Sequence, residues 1–192
     1  MLTALSFVHY WVNWPLLWLD TYSEQRKRQR FIAEHPVTAI HLAIQYGDIL
    51  TLMTMKESGY DLQQLCEKGY SLLHYASSEG QVECVEYLIN QGLDVNAKAN
   101  GGTAPLHKAA HSGCVDTVKA LLKSGAKVNE ADCTGHTPMH AAARFGHQSI
   151  ILELMDHDAN FTADLKGYTP LDEAIKYKQR ETVLFLLNTF SA

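Results

Sequence analysis

At 192 residues, 46% hydrophobic and 19% charged, the chain suits one domain plus a short extra segment. Its net charge of −5 argues against general affinity for nucleic acid. Four cysteines, Cys66, Cys84, Cys114 and Cys133, form no C-x-x-C pair, so a reduced, cytoplasmic protein is expected.

The first 19 residues carry no charged side chain and hold all three tryptophans, Trp11, Trp14 and Trp18. That length reaches the lower limit of a membrane span, but His9, Asn13 and Pro15 interrupt it. With no basic start and no small-residue cleavage site, a cleaved signal peptide is not expected. Thr3, Ser6, Tyr10 and Asn13 fall on one helical stripe and leave a broad Leu/Trp/Val face, which suits an interfacial or docking helix. The run Arg26-Lys27-Arg28-Gln29-Arg30 comes directly after it. Residues 1–35 thus form a segment of their own, in which residues 1–20 have three readings: contact with a membrane surface, extended to residue 30 by the basic run, an apolar cap on the first of the units that come next, or a partner-binding helix. On the first reading the basic run lies on the cytosolic side; it also suits a nuclear import signal or a plain solvated helix face.

From residue 36 onward the chain is periodic. His41, His74, His107 and His140 stand 33 residues apart, and Gly47, Gly80, Gly113 and Gly146 keep the same interval six residues behind them. A period of this size means stacked small units rather than one globular core. Within each unit, Thr or Ser can cap a first helix, proline fits its first position, and the glycine ends it. A second helix comes next with apolar spacings of three and four, as in Val82–Ile89 and Val115–Leu122. Asn100-Gly101-Gly102 and Asp132-Cys133-Thr134-Gly135 are turn formers between units.

The stretches Thr103-Ala104-Pro105-Leu106-His107-Lys108-Ala109-Ala110 and Thr137-Pro138-Met139-His140-Ala141-Ala142 closely resemble the Thr-Pro-Leu-His-x-Ala core of the ankyrin repeat, and Ser71-Leu72-Leu73-His74-Tyr75-Ala76 does so more loosely. The resemblance covers about five repeats, near 36–66, 67–100, 101–133, 134–165 and 166–192. It implies an all-α solenoid of stacked helix-turn-helix units with short β-hairpin fingers. The outer two repeats depart from the pattern. Ala39 replaces the first repeat's proline, which predicts a weaker helix start, and in the last repeat Asp172 replaces the histidine and Lys178 the glycine.

Ten histidines raise the question of a metal. Equivalent positions in successive repeats are separated by about 8–10 Å, whereas two ligands of one zinc each lie within about 2.1 Å of it. No metal site is expected; each motif histidine is read instead as a bond to the backbone of its own and the adjoining finger. No glycine-rich phosphate loop or nucleophile elbow is present, and Cys133 with His136 lacks an orienting third group. The chain reads as non-catalytic and without a cofactor.

What remains is surface. The resemblance places contact residues at the finger tips (Tyr70, Thr103, His136 and Tyr168) and at the two positions before each helix-ending glycine. The latter are Gln45 and Tyr46, Ser78 and Glu79, His111 and Ser112, Arg144 and Phe145, and Lys176 and Tyr177. Tyr, Phe and Arg are enriched at interface hot spots. Tyr46, Tyr70, His111, His136, Arg144, Phe145, Tyr168, Lys176 and Tyr177 are therefore the expected protein-binding set on the concave face. Asn96 and Asn129 resemble the position hydroxylated in some members of the family; their own chemistry suits a local turn bond. Leu184, Phe185 and Phe190 in the last helix call for a cover, either residues 190–192 or another chain. The resulting expectation is an adaptor or scaffold for a partner protein, with a membrane-tethered adaptor or an occluding regulatory subunit as the alternatives.

Overall fold

A computed structural model describes residues 22–64 and 68–190. The aromatic segment 1–20, Cys66 and the tail residues 191–192 lie outside the described residues, as does the Phe190 side chain. Contacts divide the chain into two compact units at Ala39/Ile40. In the first, α1 (Tyr22–Glu34) carries the basic run, and Arg30 Nε bonds Glu34 Oε1 at 2.8 Å one turn on.

The helix α2 (Pro36–Gln45) leads into the second unit. There helices come in pairs, an inner one then an outer one. After α2 comes α3 (Ile49–Glu57), then α4 (Leu72–Glu79) with α5 (Val82–Asn90) and α6 (Pro105–Ser112) with α7 (Val115–Lys123). Next are α8 (Pro138–Phe145) with α9 (Gln148–Met155) and α10 (Pro170–Lys176) with α11 (Arg180–Phe190). Each pair leans on the next. Leu73, Ala76, Leu88, Leu106, Ala109, Leu121, Met139, Ala142, Leu154 and Ala174 are all within 1% of full burial, forming one continuous seam along the stack. Burying each such leucine contributes about 1.5–3 kcal/mol, which a single pair could not obtain alone.

The inner helices begin as the sequence predicts where proline is present: Pro105, Pro138 and Pro170 occupy the first turn. In the first repeat the start is displaced. The helix opens at Pro36, so Thr38 lies inside it and His41 is carried onto an exposed surface edge-on to Tyr75, 5.2 Å away.

Three sets of polar bonds tie repeat to repeat. The motif histidines form the first. His74, His107 and His140 each take a backbone N–H onto Nδ1, from Ser71, Ala104 and Thr137 in turn, all at 3.1 Å. An Nδ1 that accepts leaves the proton on Nε2, which donates to the carbonyl of the next finger: Thr103 at 2.9 Å, His136 at 3.1 Å and Tyr168 at 3.0 Å. The second set is asparagine. Asn96 Nδ2 donates to Gly125 C=O at 3.0 Å and its Oδ1 accepts from Lys127 N–H at 2.8 Å. Asn129 repeats this with Asp158 C=O and Asn160 N–H at 2.9 and 2.7 Å. These are clamps between neighbouring repeats, not the local turn bonds that the sequence suggested.

The third set runs backward from the residue after each left-handed turn that ends an inner helix, Gly80, Gly113, Gly146 and Lys178. Gln81 Nε2 donates to Gln45 C=O, His147 Nε2 bonds His111 C=O and Gln179 Nε2 donates to Arg144 C=O, at 2.9–3.1 Å, while Cys114 Sγ reaches Gly80 C=O at 3.4 Å. This explains the glycine twice over. Gly113 turns the chain at φ +85°, and a Cβ there would lie 2.7 Å from the crossing His147 ring.

The fingers are turns rather than strands. Each closes on one bond across its base, from Ala99, Asp132 or Asp164 N–H to Thr103, His136 or Tyr168 C=O, and one turn bond at its tip, from Gly102, Gly135 or Gly167 N–H back to Ala99, Asp132 or Asp164 C=O. Each also gives one bond to its predecessor, Asn100 to Lys68, Cys133 to Gly101 and Leu165 to Thr134. Single bonds do not build a ladder, and no strand is found among the described residues.

Candidate functional site

The finger bases and the inner helices share one face, and side chains from different repeats meet on it in three clusters. At the fifth repeat, Arg144 from α8 bonds Glu173 of α10, Nε to Oε2, at 2.7 Å, and Lys176 Nζ approaches the other oxygen at 3.4 Å. The Arg144 guanidinium lies 4.5 Å over the Tyr177 ring, and Lys176 Nζ lies 5.1 Å from the Tyr168 ring and 5.4 Å from that of Tyr177. Such cation–aromatic contacts contribute about 0.5–1 kcal/mol each at exposed sites. Tyr168 and Tyr177 remain 43% and 44% exposed, so each ring is held by a neighbouring cation and is still open to solvent.

Glu173 is the pivot. Its side chain is only 1% exposed, whereas those of Arg144 and Lys176 are 29% and 50% exposed. Burial opposes ionisation of Glu173, but the bond from Arg144 and the charges of Arg144 and Lys176 outweigh it and hold the carboxyl below its usual range. The anion therefore sits under the cations, and the surface presents the positive groups.

The middle cluster joins repeats three and four. The His111 ring lies 4.0 Å from that of Phe145, which in turn stacks near His147 at 6.3 Å. Partial burial, then the charges of Lys108, His147 and Arg144, keep His111 below its ordinary pKa. The first cluster lies on repeats two and three: Tyr70 is edge-on to His74 and Tyr75, with Lys108 Nζ 4.5 Å over its ring.

Of the residues expected from the sequence, Arg144, Tyr168, Lys176 and Tyr177 are brought together, as are His111 and Phe145, while Tyr70 lies in the first cluster. Tyr46 is 47% exposed at the end of α2 and makes no ring or ion-pair contact among the described residues. His136 is half-buried, its Nε2 2.9 Å from Asp164 Oδ2 and its ring stacked on His140. That nitrogen faces a carboxylate of the next finger rather than Cys133. Burial opposes ionisation of Asp164, but the N–H groups of Tyr168 and Lys166, with His136, overcome this and keep the carboxyl below its usual range.

Sequence reasoning missed Lys108, Tyr75, Glu173 and His147. Lys108 sits in the first turn of α6, away from the helix-end positions the resemblance favours, and only its length brings it to Tyr70 of the preceding finger. Glu173 carried a readable signal: an acid stands where the fourth repeat has Ala141, 29 residues after Arg144.

No group of three or more metal-binding side chains occurs among the described residues, and His74, His107 and His140 have both ring nitrogens committed to protein groups. Cys84 is buried and its thiol is pushed up to about 11 by that burial. No described helix is long and apolar enough to cross a membrane. A family model described as Ankyrin repeats (3 copies) matches residues 40–132 and 106–191. No curated protein matches the chain.

Proposed function

Since this chain belongs to the ankyrin-repeat family, whose members generally serve as protein–protein interaction modules, we propose that it is a non-catalytic adaptor or scaffold that holds a partner protein on its concave inner face. The observation that carries this reading is the row of exposed rings held by their neighbours across adjacent repeats: Phe145, 38% exposed against the His111 ring, and Tyr168 and Tyr177, 43% and 44% exposed beside Lys176 and Arg144. Side chains held in place by their neighbours lose little conformational freedom on binding, which is the pre-organisation that tight interfaces use. Tyr46, Tyr70, His111 and His136 extend the same face toward the other end of the stack.

Phe145→Ala combined with Tyr177→Ala removes two exposed rings and leaves the buried seam untouched. Affinity capture with the full chain and with this double variant tests the reading. Partners must be lost at unchanged helicity; undiminished capture rejects the face.

The basic helix α1 supports a second, narrower reading in which residues 1–35 tether the repeats to the cytosolic side of a membrane. Arg26, Lys27, Arg28 and Arg30 lie within two turns and would attract anionic lipid. Deleting residues 1–35 from a fluorescent fusion must then release the protein from the membrane fraction. An occluding role against an enzyme or transcription factor uses the same inner face, and competition between the captured partner and its own substrate distinguishes it from scaffolding. Free thiols at Cys84, Cys114 and Cys133 suit a cytoplasmic or nuclear setting.

A further inference from the structure

We propose that the inner face takes an acidic segment of its partner protein, one in which carboxylates alternate with apolar side chains. This rests on the reading of that face as the binding surface and adds the chemistry of what it holds.

Charge is distributed unevenly between the two sides of the stack. The chain carries a net charge of −5, yet its exposed acids lie mainly on the outer helices and the loops after them: Glu83, Glu86, Asp116, Asp156 and Asp158. The inner helices present Lys108, Arg144 and Lys176 instead. Against these stand three acids: Glu79, exposed at the end of α4, Asp172, engaged by the N–H and hydroxyl of Thr169 at the start of α10, and Glu173, which is buried beneath the two cations it balances. The positive groups are spaced along the face and interleaved with Tyr70, Phe145, Tyr168 and Tyr177. The His111 side chain lies beside two of these cations: after burial, the charge of Lys108 and that of Arg144 are among the causes that hold its pKa down.

A ligand that fits must supply negative charge at repeat-length intervals and apolar groups between them for the aromatic rings. An acidic and apolar polypeptide does both. Rim-exposed cations of this kind set partner choice and association rate more than final affinity, so the interaction carries a salt dependence. A single-stranded nucleic acid also offers negative charge and stacking faces, but the net acidity of the chain and the small number of cations disfavour it.

Three labelled probes test the proposal on the full chain by fluorescence anisotropy: a peptide alternating glutamate with phenylalanine, the same peptide with lysine for glutamate, and a single-stranded oligothymidine. The glutamate peptide should bind best. Its affinity should fall about tenfold in Lys108→Glu combined with Lys176→Glu, and weaken as salt rises, while Lys119→Glu on outer helix α7 leaves it unchanged. Circular dichroism confirms that each variant stays folded. Failure of the glutamate peptide to bind, equal binding of the lysine peptide, preference for oligothymidine, or equal loss in Lys119→Glu overturns the proposal. If cellular partners captured through Phe145 and Tyr177 are indifferent to the two lysine reversals, the acidic chemistry is wrong while the face stands. If capture survives Phe145→Ala with Tyr177→Ala, the face itself is wrong.

Discussion

Repeats two to four and repeat five share one backbone plan but are held in different ways. In the former, a histidine caps its own helix and donates forward to the next finger. In the fifth, Asp172 accepts the same cap bonds, from Thr169 N–H at 2.8 Å and its hydroxyl at 2.6 Å, but an ionised carboxylate has no proton to give forward. Ile44, Ser77, Ala110 and Ala143 are all within 1% of full burial at one register, while Ile175 in the same register is 55% exposed. Gly113 and Gly146 turn their helices under a crossing side chain, whereas Lys178 makes the turn at φ +60° with its own side chain in place. The repeating residue types are dictated by the neighbour each repeat must fit and only secondarily by the helix in which they sit.

The comparison breaks most visibly at the histidines. His140→Ala leaves a buried backbone N–H and a finger carbonyl without partners and should cost about 2–4 kcal/mol in urea unfolding. Asp172→Ala should cost about 1 kcal/mol, the loss of a cap alone, and exposed His41→Ala less than about 0.5 kcal/mol. Equal losses at 140 and 172 would mean that the forward bond contributes nothing. Exchanging the residue types at one register comes next. Ala143→Ile should destabilise by about 1–3 kcal/mol through overpacking, while Ile175→Ala stays within about 0.5 kcal/mol of wild type.

Acid sharpens the same contrast. Burial, first among the causes, lowers the pKa of His74, His107 and His140 in the folded chain. Their neutral forms thus favour folding fully above the unfolded value of about 6.5, and that stability is lost as pH falls from there through the folded values. Asp132, Asp164, Asp172 and Glu173 are held below their usual range, so their loss begins only near about pH 4. Urea midpoints tracked downward from neutrality should therefore drop in two separate stages. His107→Asn should flatten only the first. The smallest effect lies at the turn: Lys178→Gly relieves a left-handed residue and should stabilise by about 0.5–1 kcal/mol, visible as a raised melting temperature.

The 33-residue interval and the Thr-Pro-Leu-His pattern made the inner helices and their caps legible, because the residues that cap a helix are local to it. The first helix start was misplaced: Pro36 lies outside the motif but is better suited to open a helix than Ala39. The clamps were less legible. Asn96 and Asn129 looked like turn residues since their partners lie about 30 residues away, and the donors at positions 81, 147 and 179 change identity while keeping their task. On the binding face, single exposed rings could be named from the resemblance. Their grouping could not, because Lys108 and Glu173 reach them across repeats.

Amide hydrogen exchange of the full chain, free and bound to a captured partner, tests the use of the inner face most directly. The account predicts added protection in α4, α6, α8, α10 and the fingers at residues 99–103, 132–136 and 164–168, with α5, α7 and α9 unchanged. Protection confined to the outer helices, with the inner face as open as in the free chain, would contradict it.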